Sequence, residues 1–198
     1  LMLLQAAPLV AQTDATTLEV RRNGTEIGRE KLTLENARRR GLTGTTLTIA
    51  AQYPAAAPLG VRLERSSDGQ LALFQLDVEK PGAPVTILAA SNAGRLVLKT
   101  IANGSDAAQE MPGGADVVLL DDDVVGLYSA VADLATPAGG RLTAIYPRTG
   151  RRTSLVAKRD GARILLSGGV IGTLTLDAAG RLTRVELPSQ GIVAVAAQ

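Results

Sequence analysis

Three consecutive carboxylates, Asp121-Asp122-Asp123, stand directly before the one segment with helical apolar spacing. A run of oxygen ligands could hold Ca²⁺ or Mg²⁺, but a calcium loop places its ligands at alternate positions around a glycine, and this run does neither. The same acids suit an N-cap and the positive first turn of a helix, which is the role their position predicts. Glu64, Asp77 and Glu79 are the acids from which a carboxylate pair for glycoside hydrolysis would be drawn. They fall on strand faces that read as solvated, and with aromatics at 2% the chain has few platforms for sugar rings. No Ser-x-x-Lys or Gly-x-Ser-x-Gly element occurs. Gly168-Gly169 with Gly172 sits between strands and opens no helix, so it is no phosphate loop.

Absences narrow the chemistry further. With no His, His-dependent triads and His-ligated metal sites are excluded. With no Cys, thiolate catalysis, zinc ribbons and disulfides are excluded as well. The expectation is therefore a protein without catalytic residues, without a metal site and without a cofactor. Net charge is +2, from 21 Lys+Arg against 19 Asp+Glu, and it is spread along the chain. That is no phosphate-binding footprint, so no nucleic-acid partner is expected. The cluster Arg38-Arg39-Arg40 reads as a solvated hairpin tip, because no aromatic is interleaved with it.

The elements that would position a site are nearly all strands. Leu18 and Val20 alternate with polar neighbours, Asn23-Gly24 marks a type I′ hairpin turn, and Gly28 in the return strand signals a bulge or a close backbone approach. Ala72, Phe74, Leu76 and Val78 form the best apolar row of the first half. The triplets Gly94-Arg95-Leu96, Gly140-Arg141-Leu142 and Gly180-Arg181-Leu182 reflect recurrent hairpin chemistry, since the segments between them differ too much for a repeat. Against this period of two, Val124, Leu127, Tyr128, Val131 and Leu134 follow the i, i+3, i+4, i+7 pattern of one helix face. The predicted fold is mainly β (α+β): one strongly curved antiparallel meander, an open half-barrel of about 11–13 strands, with a single covering helix near 122–135.

The first twelve residues, Leu1 to Gln12, form an apolar run that resembles the end of a signal peptide and is too short to span a bilayer. Residues 1–13 are accordingly set apart from a single curved-sheet domain over 14–198, with no membrane-spanning segment in the mature chain. A periplasmic or secreted location is expected.

Three features together resemble the periplasmic lipoprotein carriers LolA and LolB and related secreted β-proteins. They are the opening hairpin Asn23-Gly24-Thr25-Glu26-Ile27-Gly28-Arg29-Glu30, the helix after the middle strands, and the closing hairpin from Gly172 to Pro188. The chain departs from those carriers in having one clear helix and few aromatics, and no single functional residue carries over. The resemblance implies a cavity for acyl chains or another hydrophobic ligand. Its lining would be drawn from Phe74 and Leu76 on the sheet, from Val124, Leu127, Tyr128, Val131 and Leu134 on the helix, and from Tyr146, with Tyr128 and Tyr146 at the mouth. The apolar rows admit two readings, a ligand-holding lumen or a solid core. In the second the partner is an envelope protein and the exposed strand edges are the working surface.

Overall fold

The computed structural model describes residues 13–39 and 42–197, so the apolar run at residues 1–12 and the arginine of the cluster at position 40 lie outside the described residues. From the middle of the sheet the chain meanders outward through β1 (Thr13–Arg22), β2 (Thr25–Arg39), β3 (Leu42–Gln52), β4 (Leu59–Ser66), β5 (Leu71–Val78), β6 (Val85–Asn92), β7 (Arg95–Ala102) and β8 (Ser105–Pro112). It then crosses to the opposite edge as β9 (Val117–Leu119). A 3-10 turn at Val125–Leu127 runs straight into α1 (Tyr128–Leu134). The return path is β10 (Gly140–Tyr146), β11 (Arg151–Asp160), β12 (Arg163–Gly168), β13 (Gly172–Leu176), β14 (Leu182–Leu187) and β15 (Ile192–Ala196), which closes antiparallel on β1.

The result is one 15-stranded sheet with β8 and β9 as its two edges. All neighbouring pairs are antiparallel except β9–β10. The mainly β, strongly curved sheet with a single covering helix matches the expectation; two to four more strands are present than the hairpin signals alone suggested. The helix is shorter than expected, α1 being seven residues long. Curvature follows from connectivity as well as from strand twist. Five steps of chain join Pro112 at one edge to Val117 at the other, a reach of about 18 Å at most. The two edges must therefore face each other, and the sheet is rolled. Arg65 of β4 ties the arms together: its Nη2 donates to the Val117 carbonyl on the free side of β9 at 2.9 Å, and its Nη1 donates to the Gly69 carbonyl at 2.6 Å.

Local sequence explains the register. Asn23 and Gly24 both take positive φ, 51° and 84°, as a type I′ turn demands. Two residues of β2 then oppose one of β1, with Val20 paired to Gly28 and Arg21 to Glu26. Gly28 is also a close approach, because a Cβ there would run into the Gln52 carbonyl and the Tyr53 ring. A second register shift between Glu64 and Arg65 corrects the apolar row of β5: Ala72 is exposed, while Leu71, Phe74 and Leu76 are buried. The rolled sheet holds one continuous core, to which β9 contributes Val117, Val118 and Leu119.

Candidate functional site

The segment from Val124 to Leu134 covers the concave face. Val124, Leu127 and Val131 are fully buried and Tyr128 nearly so, while Leu134 is only partly covered and lies by the Gly69 turn. Phe74, Leu76 and Tyr146 are buried in the same core. The residues expected to line a site thus belong to one cluster, but in this state they fill it. Each such large side chain contributes about 1.5–3 kcal/mol by leaving water, so the cover is seated mainly by apolar burial.

The acidic run does not cap the helix. Asp121 and Val124 form an isolated bridge and Val124 has extended backbone, with no side-chain bond at the N-cap position. This strand-like turn directs the acids to the β10–β11 hairpin instead. Arg148 makes a bidentate pair with Asp121, at 2.6 Å from Nε and 2.5 Å from Nη2, and reaches Asp123 at 2.6 Å. Arg151 binds Asp122 at 2.5 Å and lies 3.4 Å over the Tyr146 ring centroid. The pair with Asp121 raises the Arg148 pKa. Among the described residues no group of three or more metal-ligating side chains assembles.

The backbone donors that open the cover still need acceptors, because the first N–H groups of a helix have none within it. They find one in Glu30 of β2, far away in sequence and fully buried. Glu30 Oε1 accepts from the Val125 N–H at 2.7 Å, and Oε2 accepts from the Gly126 N–H at 2.5 Å. Tyr53, just past the end of β3, donates its hydroxyl to Oε1. Burial pushes the Glu30 pKa up, against the opposing effect of the bonds from Tyr53, Gly126 and Val125. Burial and the facing Glu30 push the Tyr53 pKa up too. At the other end of α1, Arg159 Nη2 donates to the Ala132 carbonyl at 3.0 Å. A carboxylate at the positive end and a guanidinium at the negative end match the helix dipole, and both come from the sheet.

Sequence reasoning missed Glu30, although a signal was present. In β2 the inward positions run Gly28, Glu30, Leu32, so a carboxylate interrupts an apolar row and pairs across with the buried Leu18. An acid on a core-facing row must find donors. Tyr53, Arg65 and Arg159 were missed because their partners are distant in sequence.

Alongside α1 lies a cleft walled by Leu32, Leu34, Leu47, Leu176 and Leu182, with Asp133 on the helix side. Its volume is about 40 Å³, little more than a water needs and far below the roughly 300–1,000 Å³ of ligand pockets. Of the acids weighed for hydrolysis, Glu79 is exposed and Asp77 half-buried, whereas Glu64, expected on a solvated face, is buried. Glu64 pairs across with Leu73 and Asp77 with Gly60. That sets them about 13 Å apart along the strands at ~3.3 Å per residue, wider than the separation a glycosidase pair uses. Arg62 pairs with Glu64, and Gln75 and Thr86 bond Asp77 at 2.7 Å each.

Among the described residues no helix is long and apolar enough to cross a membrane. No family model matches the chain. No curated protein matches it either. Among solved structures the chain is similar to a DUF1089 family protein from Pseudomonas aeruginosa, with 16% identity over 96% of this chain and 97% of that one and a TM-score of 0.45.

Proposed function

We propose that this is an exported, non-enzymatic protein that takes up a hydrophobic or lipidic chain between the rolled sheet and α1. The observation that carries the reading is the leucine-walled cleft beside a short helix that brings no cap of its own. At about 40 Å³ the cleft admits no acyl chain as it stands, so uptake requires the cover to lift. Once it lifts, burial of an alkyl chain at about 25 cal/mol per Å² holds the ligand without directional chemistry. The apolar run at residues 1–12 supports export, and the resemblance to lipoprotein carriers supports the ligand class. Titration with a fluorescent fatty acid tests the reading: saturable uptake is expected in the wild type and its loss in Leu47→Trp, which fills the cleft. No uptake by the folded wild type, or unchanged uptake by Leu47→Trp, refutes it.

A second reading, an interaction module of the cell envelope with a solid core, is favoured by the small volume of the cleft and by β8. That edge strand is exposed at every position but Met111 and has one side of its ladder open. The same titration separates the two readings, since a solid-core module shows no saturable uptake.

A further inference from the structure

Glu30 is a buried acid whose hydrogen-bond donors are all uncharged: two backbone N–H groups of the cover and the Tyr53 hydroxyl. The segment it holds is bracketed by fixed points. Before it, Asp121 is clamped by Arg148. After it, Thr136 bridges to Lys158, and its carbonyl accepts from the Arg159 N–H at 2.9 Å. Within residues 124–134 the backbone ties from the sheet are Glu30 at the start and Arg159 at the end; of the cover's side chains, Tyr128 faces Tyr146 and Gln190, and Asp133 faces Arg65 and Arg159. Gly126 permits the close seat, because a Cβ there would stand 2.9 Å from Glu30 Oε2 and 3.0 Å from Leu32 Cδ1.

We propose that Glu30 is the latch of a lid: residues 124–134 lift from the concave face as one piece when the carboxyl releases the Val125 and Gly126 N–H groups, uncovering the leucine floor. This rests on the hydrophobic-ligand reading for its purpose but not for its test. The latch also senses protonation. A neutral Glu30 can donate a hydrogen bond from its O–H to the Tyr53 oxygen and still accept from both backbone N–H groups. An ionised Glu30 keeps all three donors but bears the cost of an unpaired buried charge. The charged groups that face the pair are Asp121 and Asp123 before the lid and Arg22 at the end of β1. Burial raises the Glu30 pKa in the closed state, whereas in the lifted state the acid is solvated. The closed state therefore binds the proton more tightly, and raising the pH favours lifting.

Hydrogen exchange resolved to individual amides tests this on the whole chain without any ligand. In Glu30→Gln the side-chain amide sets a donor against at least one donor of the trio whichever way it turns. Protection over 125–134 should then fall as a block by about tenfold or more, with β2, β3 and β14 unchanged. In the wild type, after correction for intrinsic exchange, opening of the same block should rise with pH above the ordinary carboxylate range. Loss spread evenly over the sheet, unchanged protection, or a flat wild-type pH profile overturns the latch. Should Glu30→Gln fail to fold, the wild-type profile is set against that of Asp133→Asn, because desolvation also raises the pKa of Asp133 on the lid; a pH-dependent opening that disappears in Asp133→Asn overturns the latch. Palmitate uptake keeps the two claims separate: block opening without uptake leaves the latch standing and removes the ligand reading, and uptake without block opening does the reverse.

Discussion

Replacing Gly126 with alanine adds one methyl group at a close contact between the lid and the sheet. Built on the present backbone, the new Cβ lies 2.9 Å from Glu30 Oε2 and 3.0 and 3.1 Å from the two Leu32 methyls. The leucine can rotate, but the carboxyl is fixed by three donors and cannot. Something must move by several tenths of an ångström, and overpacking of this kind costs about 1–3 kcal/mol. For a chain of this size each kcal/mol lowers Tm by about 2–4 °C, so a fall of about 2–12 °C is expected in thermal unfolding. The attribution to Glu30 is checked by a double-mutant cycle with Glu30→Asp, whose shorter side chain withdraws the oxygen. If the contact is the cause, the Gly126→Ala penalty shrinks by about 0.5 kcal/mol or more in that background. A Gly126→Ala protein melting within about 1 °C of the wild type, or strict additivity in the cycle, would refute the reasoning.

Other perturbations probe the rest of the arrangement. Leu127→Ala removes a fully buried side chain from the lid and should cost about 2–5 kcal/mol in denaturant unfolding; a loss under about 1 kcal/mol would show that the lid is not seated on a packed core. Gly28→Ala drives a methyl group into the Gln52 carbonyl and the Tyr53 ring and should destabilise, whereas Gly60→Ala meets nothing within 4 Å and should be near neutral. Equal Tm values for that pair would contradict the close approach at Gly28. Stability against pH carries the sign worked out for Glu30. Its folded-state pKa is raised, so its contribution is complete below the ordinary glutamate value of about 4.3 and is lost as pH climbs through the raised one. The Tm advantage of the wild type over Glu30→Gln should narrow from acid to neutral pH; a gap that stays flat or widens would count against a buried, uncompensated acid.

Features set by local chemistry were legible in the sequence. Asn23-Gly24 states its own turn, Gly28 announces a bulge or a close approach and has both, and the spacing of Val124, Leu127, Tyr128 and Val131 picks out the buried face of the cover, although the α-helix itself begins only at Tyr128. What failed depended on partners far along the chain. Asp121–Asp123 are attractive caps when read locally, yet an arginine on a distant hairpin claims Asp121 and Asp123, and a second claims Asp122. The true acceptor for the first lid amides is Glu30, on the other half of the sheet. The bulge at Glu64/Arg65 shifts alternation within β5, so Ala72 leaves the apolar row while Phe74 and Leu76 stay in it. The strong curvature of the sheet was legible in the long run of hairpin-joined, twisted strands; strand patterns did not state that a crossover of only a few residues brings the β8 and β9 edges to face each other.

The central claim is that a hydrophobic chain enters beneath the lid, and native mass spectrometry of the protein released gently from an expressing bacterium tests it most directly. A population carrying one lipid-sized adduct per chain is expected, absent from Leu47→Trp prepared in the same way. Repeated adduct-free spectra of the wild type, together with failure to take up added palmitate at the pH where opening of residues 125–134, corrected for intrinsic exchange, is greatest, would contradict it.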